Sequence, residues 1–328
     1  MPDELLRSVR APYIEDDSRR ELTAMSLFTL DYIPAQNELA DFVTTFYHFR
    51  CDESHMRDIQ PAAVGHLILF LRGEGVMHFA AGHSEPSHRV SLMTPGSAAS
   101  PIEIDGPFHC VGAALSPLGW AALTGLSAGE TADNLLAAHE VLGAEIDELG
   151  ESLIDDYLSG EATGQQLCER LAEFIAGHLK PVNPRHVALM RAVTSWLSQS
   201  MSPPVERLYQ LSNYSPRQTQ RLVERYFGLP PRELMRKYRA LRVVAMLNQP
   251  NLSDETISLL AGQLYDQSHM IREIRQFAGR TPGRLLGGRP INPVRTARSQ
   301  ELQGDKATSR ADAGEHRLCE RLAISICG

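Results

Sequence analysis

The chain contains no uninterrupted apolar run of the length a bilayer crossing requires, so no membrane partner is expected. Its first residues, with Asp3, Glu4 and Glu15 to Asp17, are acidic where a secretory signal would be basic and then apolar, which points to a cytoplasmic protein. Cysteine is sparse: Cys51, Cys110, Cys168, Cys319 and Cys327 are scattered and have no C-x-x-C spacing, which argues against a disulfide framework. The G-x-S-x-G elbow, the P-loop and the dinucleotide fingerprint are all missing. The two tryptophans, Trp120 and Trp196, read as core anchors. Seven of the twelve histidines fall between His48 and His109, but none forms the tight H-x-H with a following carboxylate that lets ligands converge from neighbouring strand positions. No catalytic residue, metal or cofactor is therefore assigned, and the chain is not read as an enzyme.

What is present is unevenly charged. The formal charge of -8 hides a basic stretch: residues 203–289 carry 14 Arg and Lys against 7 Asp and Glu, whereas residues 1–202 carry 12 against 28. A concentrated basic segment is the electrostatic footprint of a polyanion partner.

That segment contains a duplication. SPRQTQRLVERYFGLPP, from Ser215 to Pro231, recurs as DQSHMIREIRQFAGRTP, from Asp266 to Pro282, with Ser215 matching Asp266, Arg221 matching Arg272, Val223 matching Ile274, Tyr226 matching Phe277 and Gly228 matching Gly279 at one constant offset. Each copy spells a short helix with its ends marked. Ser215 is an N-cap with Pro216 at the first helical position and Gln218 placed to close a capping box, Asp266 caps the second copy, and Gly228 and Gly279 stop the helices. Thr219, Leu222, Val223 and Tyr226 face inward at helical spacing, as do Met270, Ile274 and Phe277.

The outward faces carry Arg217, Gln218, Gln220, Arg221 and Arg225 on the first helix and Gln267, Ser268, Arg272 and Arg275 on the second. Arginine can read guanine, and glutamine adenine, through paired hydrogen bonds, while further arginines and serine hold phosphates. A shorter amphipathic helix precedes each, through Val205, Leu208 and Tyr209 and through Ile257, Leu260, Ala261 and Leu264. The result is two helix-turn-helix units, at about 204–231 and 253–282. Between them Arg232 to Leu247 reads as a rod with Leu234, Tyr238, Leu241 and Ala245 buried, spanning roughly 24 Å and able to set the two units near the ~34 Å repeat of B-DNA.

Pro204 to Leu286 resembles the DNA-binding domain of the AraC family of bacterial transcription regulators. The resemblance rests on Asp266-Gln267-Ser268-His269-Met270-Ile271-Arg272-Glu273 and Gly279-Arg280-Thr281-Pro282. It implies base contacts from Arg217, Gln220 and Arg221 and from Gln267, Ser268 and Arg272. The turn position that the family usually fills with glycine is Asn213, which tolerates positive φ.

The first half differs in texture. Short apolar or alternating runs, among them Leu27 to Ile33, Phe42 to Phe49, Gly65 to Leu71, Val76 to Ala80 and Phe108 to Leu115, are punctuated by Arg72-Gly73-Glu74-Gly75, Ala81-Gly82-His83, Pro95-Gly96 and Asp105-Gly106, as in a sandwich or small barrel. Helical pieces follow at Leu118 to Leu126, Leu135 to Leu142, Ile146 to Leu158 and Gln165 to Leu179. This layout is similar to the cupin-like sensor half of AraC-family regulators, and the resemblance implies a small effector in the barrel and pairing of subunits into a homodimer. The expectation is an α+β chain: a flexible arm over 1–25, a cupin-like effector and dimerisation domain over 26–180, an all-α DNA-binding domain over 181–286 and a disordered tail over 287–328. Its partners would be a double-stranded DNA operator, an unidentified effector and RNA polymerase. The competing readings are a cupin-type metal-dependent enzyme with an appended DNA-binding domain and an effectorless architectural DNA binder.

Overall fold

The computed structural model describes residues 27–247 and 268–280. The expected arm, the opening helix and turn of the second unit together with Asp266 and Gln267, and the expected tail lie outside the described residues.

Antiparallel strands dominate the first half. They are β1 (Phe28–Ile33), β2 (Val43–Cys51), β3 (His55–Gln60), β4 (Gly65–His78), β5 (Ser84–Pro86), β6 (Val90–Met93), β7 (Ser100–Leu115) and β8 (Leu135–Ala137). The main path runs β1-β2-β7-β4-β6-β8, with β3 added to β7 and β5 to β4. Side chains alternate between the two faces of a strand. On β4, Leu67, Leu69 and Leu71 enter a core shared with helices, whereas Ile68 and Phe70 turn to the opposite face beside Tyr47, Met56, Phe108 and Cys110. Both faces are covered, so these strands read in sequence as apolar runs without a polar side.

Two punctuated stretches behave differently from the sequence expectation. Arg72-Gly73-Glu74-Gly75 and Asp105-Gly106 do not end strands; β4 and β7 run through them and pair with each other on both sides. The reason is a bulge. Register shifts between Phe70 and Arg72 and between Arg72 and Glu74, and Gly73 absorbs the irregularity at φ +77. Leu135 to Leu142 is also not one helix, because Leu135–Ala137 pairs with β6 and only His139–Leu142 winds. An open sheet edge supplies backbone partners at once, while a helix this short gains little beyond its nucleation cost.

The helices of this half are α1 (Pro117–Thr124), α2 (His139–Leu142), α3 (Glu145–Ser159) and α4 (Gly164–His178). Ile146 and Leu153 of α3 and Leu167, Leu171 and Ile175 of α4 complete the core over β4 and β7. A capping box of Thr163 and Gln166 starts α4.

The second half is helical: α5 (Pro184–Ser198), α6 (Val205–Leu211), α7 (Pro216–Phe227), α8 (Pro231–Leu247) and α9 (Ser268–Ala278). Asn183 caps α5 with Pro184 behind it. Ser215 and Gln218 form the expected capping box on α7, and Gly228 closes that helix in the left-handed conformation at φ +83. The α6–α7 turn departs from expectation at Asn213, since Asp133 is the one non-glycine residue with positive φ among those described. Ser212 is extended there instead; its hydroxyl meets Thr219 Oγ1 at 2.7 Å and accepts from Tyr214 N–H at 3.2 Å, closing the turn.

The rod α8 buries more than the anticipated stripe. Leu234, Leu241 and Ala245 are buried as expected, but so are Lys237, Ala240, Val243, Val244 and Leu247. Leu234 packs with Val223, Tyr226 and Phe227 of the first unit, whereas Leu241 and Val244 pack with Met270, Ile274 and Phe277 of the second. One helix thus forms part of both cores.

Candidate nucleic-acid interface

The inward positions of both duplicated helices are buried: Thr219, Leu222, Val223 and Tyr226 on α7, and Met270, Ile274 and Phe277 on α9. Burial of one face leaves the other to solvent. Arg217, Gln218, Gln220, Arg221 and Arg225 are all exposed on α7, as is Arg272 on α9, while Arg275 is half-buried. Ser268 opens α9, and Gln267 lies outside the described residues. Arg221 and Arg272 form no salt bridge with another described residue, which leaves their guanidinium groups available to an anion.

The α7 face is not uniform. Gln218 Oε1 accepts from Ser215 Oγ–H at 3.0 Å and from Ser215 N–H at 3.3 Å, so half of its amide is committed to the cap. Arg225 lies over the Tyr226 ring, 5.9 Å from its centroid. Gln218, Arg221 and Arg225 line one wall of a cleft of about 890 Å³, faced by Leu126, Gly129 and Glu130 from the sheet-bearing half and by Asn183 and His186. Arg217 and Gln220 are not part of that wall.

On α9 the sequence reading overlooked two residues. Ile271 is 44% exposed beside Arg272, an apolar surface suited to a thymine methyl. Glu273 is buried and holds the helix to α8: Arg236 Nε donates to it at 2.9 Å and Arg239 Nη2 at 2.6 Å. A carboxylate so deeply placed requires such partners.

Further contacts fix the helical half against the sheet. Ala62 N–H donates to Phe277 O and Ala99 N–H to Gln276 O, each at 2.8 Å, and Ala128 N–H donates to Arg225 O at 2.7 Å. Arg280, just beyond α9, pairs with the buried Asp58 of β3; burial pushes the Asp58 carboxyl above its usual range, against the opposing pull of Arg280. Lys237 of α8 enters the seam and donates to Ala63 O at 3.0 Å and Gly96 O at 2.7 Å. Burial lowers its ammonium to about 8, with Asp133 working in the other direction. Nothing in the local sequence marks Asp58 or Lys237, because each owes its role to a distant segment.

Residues 208–287 match a family described as a helix-turn-helix domain. No curated protein matches the chain significantly. Among solved structures, ToxT from Vibrio cholerae O395 is similar at 10% identity and TM-score 0.40, covering 80% of this chain and 98% of that one. Unsaturated fatty acid bound wild-type ToxT from Vibrio cholerae strain SCE256 is similar at 11% identity and TM-score 0.42, covering 81% and 96%.

Proposed function

We propose that this chain, with its helix-turn-helix domain over 208–287, is a one-component, sequence-specific transcription regulator of the AraC type. The observation that carries the proposal is the pair α7 and α9, each with a buried apolar face and an exposed face bearing arginine, joined through one rod. In this reading the two helices enter successive major grooves of a double-stranded operator. Arg221 and Arg272 read bases; Arg217, Gln220, Gln267 and Ser268 stand as neighbouring readers or phosphate anchors; Arg225 and Arg275 hold the backbone, with Gln218 divided between its cap and the duplex.

Residues 26–180 form the effector and dimerisation domain of this reading and residues 181–286 the DNA-binding domain. The regulator works in the cytoplasm as a homodimer and meets RNA polymerase at the promoter. The cleft supplies a means of control. Glu130 and the 126–130 segment stand beside Arg221 and Arg225, so a duplex following α7 would meet this segment, and an effector that changes the seating of the two halves would change DNA affinity by population shift.

The test compares Arg272→Ala and Arg275→Ala on a selected operator and on a scrambled duplex across a salt series. Arg272→Ala is expected to cost about 1–3 kcal/mol on the operator and to relax preference at one base, whereas Arg275→Ala should weaken both duplexes alike and flatten the salt slope by about one. Equal losses on both duplexes for both variants would sink the division of roles, and failure to enrich any genomic fragment would sink the regulator reading.

A further inference from the structure

The inner face of the sheet lines a half-open cavity of about 110 Å³. Its walls are largely apolar, with Met56, Ile68, Phe70, Ile102, Ile104 and Phe108 among them, and Val76 in the lining is exposed, which puts the opening near that residue. An apolar cavity of ~150 Å³ holds benzene, so this smaller one seats about four or five non-hydrogen atoms within its walls, and a single ring fits by reaching into the opening.

One polar atom in the wall lacks a partner. His66 is 2% exposed, and its Nδ1 meets Tyr47 Oη at 3.1 Å, but its Nε2 is buried without a hydrogen bond. Such an orphan is costly unless something polar meets it. Burial lowers the His66 pKa to about 3, so the ring is neutral. If Tyr47 donates to Nδ1, Nε2 is a donor; if Nδ1 donates to Tyr47, Nε2 is an acceptor. A hydroxyl satisfies either tautomer. Among the described lining residues the one carboxylate is Asp58, whose single negative charge is taken up by Arg280. Among the described lining residues a carboxylate ligand would find no cation of its own and would face that anion.

We propose that the cavity binds a neutral, single-ring or similarly compact apolar molecule bearing one hydroxyl, which hydrogen-bonds His66 Nε2. The proposal rests on the regulator reading only in calling this molecule the effector. The route to DNA would be β3, since Met56, Asp58 and Gln60 line the cavity while Asp58 also holds Arg280 at the end of α9.

The test uses the full chain and three probes of similar size: phenol, toluene and benzoate, titrated by calorimetry without DNA. Phenol is expected to bind one to one, toluene about tenfold more weakly for want of one buried hydrogen bond, and benzoate not measurably. His66→Leu should erase the preference of phenol over toluene. Benzoate binding as well as phenol, no binding by any probe, or a preference that survives His66→Leu would overturn the proposal. Should that variant not fold, the ring ¹⁵N resonances of His66 in the unaltered protein decide: phenol should shift Nε2, and an unmoved resonance counts against us. Operator affinity with and without phenol is measured separately, so that a failure of DNA binding strikes the regulator reading and leaves the ligand assignment standing on its own data.

Discussion

Lys237 offers the sharpest perturbation. Its ammonium is buried where α8 meets the sheet, held by two carbonyl oxygens, with its pKa lowered from 10.5 to about 8. At about 1.36 kcal/mol per pKa unit, keeping the charge in the docked state costs about 3 kcal/mol relative to solvent. The sign follows from proton counts. Below about pH 8 both docked and separated states carry the proton and the profile is flat; between about 8 and 10.5 the separated state binds more protons, so docking strengthens as pH rises. At pH 7, Lys237→Met removes the roughly 3 kcal/mol penalty but leaves the oxygens of Ala63 and Gly96 unpaired at roughly 1–3 kcal/mol each. These effects nearly offset, so stability at one pH decides little. The slope decides. In urea unfolding or limited proteolysis between pH 7 and 10.5, the difference between the unaltered chain and Lys237→Met should grow by about 3 kcal/mol in favour of the unaltered chain, nearly all of it above pH 8. Parallel profiles would refute the claim that a buried amine spans this seam.

Other consequences can be measured in the same way. Glu273→Ala leaves Arg236 and Arg239 without their shared buried carboxylate; because Arg236 is partly exposed, a loss of about 2 kcal/mol is expected by thermal or urea unfolding. Gly279→Ala places a Cβ about 2.2 Å from Ile59 Cγ2 at φ +70, so it should weaken docking of the α9 end by at least ~1–2 kcal/mol, read as faster proteolysis between the halves. Ser215→Ala removes the α7 cap and should cost about 1 kcal/mol, with Ser215→Asp restoring most of it.

The parts of the fold that were legible in the sequence are those decided locally. A cap, its return partner and a terminating glycine lie within one helix, which is why the bounds of α7 from Ser215 to Gly228 are legible in its own residues. The inward stripe of α9 followed from spacing alone. Misreadings arose where a distant strand made the decision: Leu135–Ala137 joined the edge of β6, and the Gly73 stretch became a bulge because β7 lay alongside. The cavity was hidden for a related reason. With Leu67, Leu69 and Leu71 facing helices and Ile68 and Phe70 facing inward, β4 shows no polar alternation to distinguish its two sides. Asp58 and Lys237 are ordinary charged residues until folding brings Arg280 to one and two carbonyls to the other.

The seam between the halves is sewn largely by main-chain atoms. Ala62, Ala99 and Ala128 supply N–H groups to the oxygens of Phe277, Gln276 and Arg225, and even Lys237 grips peptide carbonyls. The three main-chain stitches are indifferent to side-chain identity, unlike the Arg280–Asp58 pair and the Lys237 amine beside them. An alanine scan would pass over the three main-chain donors, which are alanine already. Proline, which removes the donor itself, is the substitution that would open the join at Ala62, Ala99 or Ala128, one stitch at a time.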